Sequence, residues 1–363
     1  MSRTGHALLV GSAITVSAAC GDAGAAGTGA QTIDQWMTPQ AWVRASSEPV
    51  LSLGPPGTWD DTHIFAPCVV LDKGRYLMWY SAGTGGLEHR VMHMGLATSD
   101  DGVQFVRHGA SPVLRFGDGR KSVLTPAVLR NTDGSPLREH GRLRMWFAAS
   151  DLTEPGSLHT LHETSSPDGT TWSDPSPALI ENVYAPTIIR DDGVYRMWFT
   201  DVSQEPWCFR HASSVDGSTW SVDEEPVLVV DQEWEERRLF YPTVLRHDGV
   251  YLMWYGAYWV ARENTTALGC AVSEDGLRWR KNTHNPVFRP DPSRPWESHY
   301  TTSQSVLPIG DGRYRIWYGT RKAPPHVNKY FAIGTAVLDA PPAPYHAAEE
   351  GQAKPGTFEP WQK

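Results

Sequence analysis

Apolar residues along this chain fall in short runs, and the runs recur. The segments "APCVVLDKGRYLMWYSA", "TPAVLRNTDGSPLREHGRLRMWFAAS", "APTIIRDDGVYRMWFTD", "YPTVLRHDGVYLMWYGA" and "SQSVLPIGDGRYRIWYGT" each pair two runs rich in Val, Ile, Trp and Tyr around a polar break. This is the signature of two antiparallel strands, with "DDG" or "HDG" as the tight turn. Their anchor positions, Pro67, Pro126, Pro186, Pro242 and Gln304, lie 59, 60, 56 and 62 residues apart. Self-similarity at a near-fixed period marks a repeat architecture.

A second hairpin follows in four of the repeats: "ATSDDGVQF", "ETSSPDGTTW", "ASSVDGSTW" and "AVSEDGLRW". Ser99, Asp101, Gly102 and Phe105 in the first match Ser273, Asp275, Gly276 and Trp279 in the last. The Asp-Gly makes a tight turn and the aromatic packs between neighbouring sheets, so these residues read as structural. Four strands in each of five units predict an all-β fold, a five-bladed β-propeller. The fifth unit has only three strands before the chain leaves in "DAPPAPYHAAEEG". Its missing outer strand is predicted at the other end, because "WVRASSEPVL" (Trp42 to Leu51) matches "WRKNTHNPVF" (Trp279 to Phe288). The N-terminal strand would then close the last blade and remove an exposed sheet edge.

The propeller is assigned to residues 40–340, leaving a Pro- and Ala-rich tail at 341–363. Residues 1–20 read as an export signal: Arg3 precedes the apolar run "ALLVGSAITVSAA", too short for a permanent membrane helix, and Cys20 ends it. Cys20 after small residues resembles a lipoprotein site; cleavage without lipidation is the alternative. A Gly/Ala-rich stretch at 21–39 reads as a flexible tether. The expected location is therefore outside the cytoplasm, periplasmic, cell-surface or secreted, with membrane contact only through a lipid on Cys20.

Composition narrows the ligand. With 16 Trp, 13 Tyr, 33 Gly, 28 Pro and 20% charged residues, the chain suits many short strands and few helices. A formal net charge of −9 provides no basic face for nucleic acid. Cys68, Cys208 and Cys270 lack the spacing of a zinc site. In an exported protein Cys208 and Cys270 are the favoured pair for a disulfide. No cofactor is expected, an axial calcium ion is left open, and the protein is expected to be a monomer.

Chemistry is expected where the innermost strands begin. The approach segments Trp59 to Ala66, Asp118 to Thr125, Ala178 to Ala185, Trp234 to Tyr241 and Trp296 to Ser303 precede the five anchors. Three of them open with Trp and an acid, as in "WDDTHIFAP" and "WEERRLFYP". Two readings stand side by side. The acid is a repeated structural device, or one cavity collects Asp60, Asp61, Glu235, Glu236 and Glu297, with crowding that drives carboxyl pKa values apart into an acid and a base. The ends of the second strands add Asp151, Asp201, Tyr258, Trp259 and Arg321, and Asp201 is the added catalytic candidate.

The blade rhythm, the "Y-x-M-W-Y" strands and the "S-x-D-G-x-x-W" turns resemble the five-bladed propeller glycosidases, the group of glycoside hydrolase families 32, 43, 62, 117 and 130, over roughly residues 40–338. That resemblance implies three blade-start carboxylates serving as base or nucleophile, pKa modulator and acid. The match is partial. Ala66 and Ala185 stand where family 43 has Asp, and Ala66 stands where the nearer family 130 pattern has Asn.

The leading expectation is an exported glycosidase acting on a polysaccharide or oligosaccharide, such as a furanoside. Its carboxylate pair would be Asp60 or Asp61 with Glu235 or Glu236, spaced widely enough for inversion. Substrate contacts are expected from Trp59, His63, Asp151, Glu181, Asn182, Trp234, Arg238, Glu297, His299 and Tyr300. The alternatives are a non-catalytic glycan-binding lipoprotein and a phosphorylase using Lys121, Arg237 and Arg238.

Overall fold

The computed structural model of the chain describes residues 33–324 and 330–341. The export signal, Cys20, most of the tether and nearly all of the C-terminal tail lie outside the described residues. Two short strands come first, β1 (Val43–Arg44) and β2 (Leu51–Ser52). Blade one holds β3 (His63–Asp72), β4 (Arg75–Gly85), β5 (Arg90–Ser99) and β6 (Val106–Arg107). Blade two holds β7 (Ser122–Val128), β8 (Arg138–Glu139), β9 (Arg142–Ser150), β10 (Thr160–Ser166) and β11 (Ile180–Glu181). Blade three holds β12 (Val183–Asp191), β13 (Val194–Asp201), β14 (Cys208–Ser214) and β15 (Ser221–Val222). Blade four holds β16 (Glu235–His247), β17 (Val250–Trp259), β18 (Thr266–Ser273) and β19 (Arg280–Lys281). Blade five holds β20 (Tyr300–Pro308), β21 (Arg313–Arg321) and β22 (Ala332–Asp339). β1 and β2 pair with β22, Val43 opposite Val337 and Leu51 opposite Ile333, so the N-terminal strand closes the last blade.

The innermost strands β3, β7, β12, β16 and β20 touch one another in cyclic order and form the wall of the axis. Each carries a bulge at the same point, with pairing that skips between Phe65 and Cys68, Leu124 and Ala127, Tyr184 and Thr187, Phe240 and Thr243, and Thr302 and Ser305. The residue before each anchor, Ala66, Thr125, Ala185, Tyr241 or Ser303, has φ between 47° and 56°. Left-handed backbone at a residue with a Cβ costs roughly 1–2 kcal/mol. Amides released by the bulges find hydroxyl acceptors: Ala66 N–H donates to Ser303 Oγ, Thr125 N–H to Ser81 Oγ, Ala185 N–H to Thr125 Oγ1 and Tyr241 N–H to Thr200 Oγ1. The bulge thus turns the strand at the axis and ties blade to blade.

The second repeated motif locks the outer ring. Ser99 Oγ accepts the Gly102 amide while Asp101 Oδ1 accepts those of Val103 and Gln104, and the three other copies do the same. The glycine carbonyl then receives the indole N–H of the preceding blade's central Trp, at 2.7–2.9 Å for Trp79 to Gly169, Trp146 to Gly217, Trp198 to Gly276 and Trp317 to Gly102. The motif's own aromatic packs edge-on against the same Trp, as Trp172 does on Trp79, Trp220 on Trp146, Trp279 on Trp198 and Phe105 on Trp317. Trp254 has no such turn ahead of it. Its indole donates to Gln40 Oε1 and packs against Trp42, so the N-terminal segment supplies both halves of the missing lock.

Two expectations are corrected here. Residues 33–39 are not a loose tether: Trp36 is fully buried and packs edge-on against His247, Trp254 and Tyr314, drawn in by the apolar surface left between blades four and five. Cys208 and Cys270 are both free thiols, one at the start of β14 and the other in the middle of β18, on different blades.

Candidate active site

The repeated Trp-acid motif builds three copies of one buried polar cluster, and none of them faces the axis. Asp60 accepts from Arg107 of β6 at 2.6 Å and from the Tyr80 hydroxyl. Glu235 accepts from the Tyr255 hydroxyl and from Lys281 of β19, each at 2.7 Å. Glu297 accepts from the Tyr318 hydroxyl at 2.6 Å and from Arg44 of β1. Every cluster joins an acid from the approach segment, a Tyr from the second strand and a base from the outermost strand.

Room for the phenol comes from a cross-strand glycine, Gly95, Gly269 or Gly334. A Cβ on Gly269 would sit 2.5 Å from Tyr255 Cζ. Blades two and three keep Phe147 and Phe199 at the tyrosine position, opposite His162 and Arg210, and lack the acid. The clusters lie in the seams between blades: Arg107 also reaches Ser52 O of blade five, and Lys281 reaches Val229 O beside blade three. Trp59 stacks on Tyr80 and Trp234 tilts over Tyr255, so both indoles roof a seam.

Asp60, Glu235 and Glu297 are therefore not gathered into one cavity, because a carboxylate on the seam side of its strand is drawn to the nearest cation and phenol. The neighbouring acids differ. Glu236 is half-buried and pairs across the ladder with Tyr258, on the opposite side of β16 from Glu235. Asp61 is also half-buried, but the Thr62 hydroxyl and the Gly57 amide donate to its two oxygens and hold its carboxyl below the usual range.

The other expected residues scatter. Asp201 is buried against Arg210 at 2.9 Å and caps the Ser203 amide. Asp151 caps its own loop through Thr153. Glu181 is exposed on the outermost strand of blade two, and Asn182 turns the chain toward blade three with φ of 62°. His63 is buried with Nε2 2.9 Å from Gly85 O. Arg238, His299 and Tyr300 reach the mouth of the ring, beside Tyr258 and Arg321.

That mouth is a ring of phenols and guanidiniums. The Tyr184, Tyr241 and Tyr330 hydroxyls form a hydrogen-bonded chain, and the Tyr330 ring stacks on Phe65 at 4.6 Å between centroids. Tyr300 accepts from Arg321 at 3.0 Å and shares a hydrogen bond with Tyr258, which also bonds Arg238. Arg238 lies 4.2 Å from the Trp207 ring centroid and pairs with Glu205. Burial pushes the Tyr184 and Tyr300 phenols up to about 12, so both stay protonated at neutral pH. His159 packs edge-on against Tyr184, and burial beside Arg90 holds it down to about 4. His299 is lowered by burial and by Arg262 and Arg321.

Tyr184, Tyr241, Tyr330, Phe65, Trp207, Arg90 and His159 were not singled out in the sequence. Tyr184 and Tyr241 stand just before the anchors, inside the approach segments, where a signal existed. Arg90, His159, Trp207 and Tyr330 arrive on or beside the connections between the second and third strands, which carry no repeat.

Below the mouth the axial channel is lined by the bulges and by Arg130, which crosses to the Val69 and Val306 carbonyls. This lining offers backbone, Ser, Thr and Gln oxygens, a guanidinium and no carboxylate. Calcium is held by carboxylate-rich oxygen sets, so the residues present do not fit it. Among the described residues no group of three or more His, Cys, Asp or Glu is placed to hold a metal.

No family model matches the chain. It is 27% identical over 245 residues to the uncharacterized protein Rv1502 of Mycobacterium tuberculosis, covering 63% of this chain and 77% of that one. Among solved structures it is similar to a glycoside hydrolase at 17% identity and TM-score 0.67, covering 81% of this chain and 92% of that one. A glycosyl hydrolase from Bacteroides ovatus is 16% identical with TM-score 0.63, covering 83% and 94%. A member of the GH130 family of mannoside phosphorylases, whose hydrolases target β-1,2 mannosidic linkages in Candida mannan, is 16% identical with TM-score 0.63, covering 85% and 98%. The chain has the five-bladed β-propeller fold that these glycosidases share.

Proposed function

We propose that this protein is an exported glycosidase that draws a glycan into the mouth of the ring. One observation carries the reading: of the five acids in the Trp-acid motifs, the seams consume Asp60, Glu235 and Glu297, while Glu236 projects on the other side of its strand beside Tyr258. Tyr258, Tyr300, Arg238, Trp207 and His299 then offer donors and aromatic faces to a sugar, the mixture expected of a carbohydrate site. Glu236 serves as the proton donor, and Asp61, on a non-adjacent blade and held ionised by its turn, serves as the base toward water. A separation of the two wide enough for a water between them would make the reaction inverting. Export, with a lipid on Cys20, belongs to the same proposal; Cys20→Ser should release the protein from membranes in a fractionation.

The test is turnover of aryl glycosides and polysaccharides, with and without phosphate. Glu236→Gln should lower kcat at least a hundredfold and leave the melting temperature within about 1 °C, in keeping with loss of a general acid. Full activity in E236Q would remove the assignment. A phosphate requirement would favour phosphorolysis.

A second reading, glycan binding without catalysis, is favoured by the engagement of both Asp61 oxygens in a local turn. It predicts binding without turnover in the wild type.

A further inference from the structure

One position of the repeat, the fourth residue after each blade's central Trp, is filled by Gly83, Ser150, Val202, Tyr258 and Arg321 in turn. Three blades keep it small or apolar, while blades four and five place a phenol and a guanidinium there. Across the ladder these two face Glu236 and Tyr300. Side chains directly opposite in an antiparallel pair leave the same side, and the rung of blade five shows the result: Arg321 donates to the Tyr300 hydroxyl at 3.0 Å. On the matching rung of blade four, Tyr258 stands opposite Glu236.

Glu236 is half-buried and has no hydrogen bond or ion pair among the described residues. Tyr258 is held firmly. Phe240 packs edge-on against its ring at 5.4 Å between centroids, and the Arg237 guanidinium lies 5.4 Å from the ring centre. Its hydroxyl accepts from Arg238, which can only donate, and is bonded to the Tyr300 hydroxyl. Arg238 is itself fixed by Glu205 and Trp207. Two phenols carry two protons, and the bond between them uses one. With Tyr300 donating across, the spare proton is that of Tyr258, whose oxygen then accepts twice. Each hydrogen bond accepted strengthens the one given, so this phenol is a polarised donor on the rung of an acid.

We infer that Tyr258 is a positioning residue for the acid step, its hydroxyl donating to the Glu236 carboxylate as that group gives up its proton. The inference rests on the reading of Glu236 as proton donor and adds a second residue to the same site. In the step, the Glu236 proton passes to the glycosidic oxygen and the bond from that oxygen to the anomeric carbon breaks, its electron pair staying on the oxygen. Water supplies the new hydroxyl and gives its other proton to Asp61. Negative charge therefore appears on Glu236 only as the bond breaks. A donor already in place favours the transition state over the ground state, which raises kcat and leaves KM nearly alone.

Steady-state kinetics of the full chain test this, with wild type, Tyr258→Phe, Glu236→Gln and the double variant on phenyl and dinitrophenyl glycosides of mannose, galactose, xylose and arabinofuranose. Phenolate needs a proton to leave; dinitrophenolate does not. On the phenyl glycoside that the wild type hydrolyses, Y258F should lower kcat about tenfold or more with KM within about twofold. On the dinitrophenyl glycoside of the same sugar, kcat should stay within about twofold of the wild type, which also shows that the variant is folded. E236Q should show the same split more strongly, about a hundredfold on the phenyl glycoside. In the E236Q background Y258F should cost nothing further, because the charge it serves is gone. Equal losses on both leaving groups, a raised KM with kcat intact, unchanged kinetics, or a further loss in the double variant would each overturn the inference, and a split in E236Q would still leave the functional reading standing. An E236Q variant without the split, or a wild type that turns over none of these glycosides, overturns the functional reading and this inference with it.

Discussion

At the scale of single residues, the seam clusters show how much a buried carboxylate depends on its company. Glu235 is buried, and its charge is held by Lys281, Tyr255 and the amides of Asp231 and Gln232. Removing the phenol leaves one acceptor short, so Tyr255→Phe should cost about 1–3 kcal/mol. Removing the cation strands a buried charge, so Lys281→Met should cost about 3–5 kcal/mol. Urea denaturation measures both, and catalysis or glycan affinity should be preserved in folded protein at low temperature. Loss of function without loss of stability would return Glu235 to the chemistry. The contrast with Glu236, one residue on, follows from strand geometry, since successive side chains leave opposite faces. The Trp-acid spelling was legible in the sequence, but the direction of each acid was not, because it depends on Lys281, Arg107 and Arg44, which are 46, 47 and 253 residues away from their acids.

At the scale of elements, the Ser-x-Asp-Gly turn is a lock whose glycine has two duties. Gly276 takes φ of 74°, and a Cβ there would come 2.8 Å from Trp198 Cζ2 on the preceding blade. Gly249, at the tip of the β16–β17 hairpin, takes φ of 84° with nothing within 4 Å of an added Cβ. Gly249→Ala should therefore cost only the left-handed backbone, about 1–2 kcal/mol. Gly276→Ala should cost clearly more, because the fully buried Trp198 must shift and its indole hydrogen bond to the glycine carbonyl is put at risk. Melting temperatures of the two variants compare these terms directly, and equal losses would mean that the indole contact contributes nothing. This element was readable in advance, since a turn that repeats four times announces its geometry. The bulges were not readable: only the anchors were visible, and the left-handed residue before each is Ala, Thr, Tyr or Ser, with no glycine to mark it.

At the scale of the whole molecule, the ring is closed by a short stretch of chain. β1, β2, Trp36, Gln40 and Trp42 supply the outer edge of blade five and the last lock. A chain starting at residue 54 should lose cooperative unfolding and associate through the bared edge of β22, a result that calorimetry and light scattering would show. The folded protein also keeps several imidazoles neutral. Burial, with Arg115 or Arg90 nearby, holds His93 and His159 down to about 4, and His162 and His211 are lowered as well. In the unfolded chain histidines bind protons near pH 6.5, so as pH falls from about 6.5 toward 4 the unfolded state takes up protons that the folded state refuses. Stability should therefore decline across that window. A melting temperature that is flat or rising between pH 6.5 and 4.5 would contradict these burial effects.

The sequence by itself determined the number of blades, the strand pairs, the turn chemistry and the closing strand, because each is written locally and repeated, and repetition turns a weak signal into a pattern. It also determined that acids would follow Trp at three blade starts. The tertiary structure alone decided where those acids point and what fills the mouth. A seam or a funnel forms only when side chains far apart in the chain are brought within a few ångströms, and the residues that meet there, from Lys281 beside Glu235 to Arg90 beside Tyr184, carry no mark of one another in the order of amino acids.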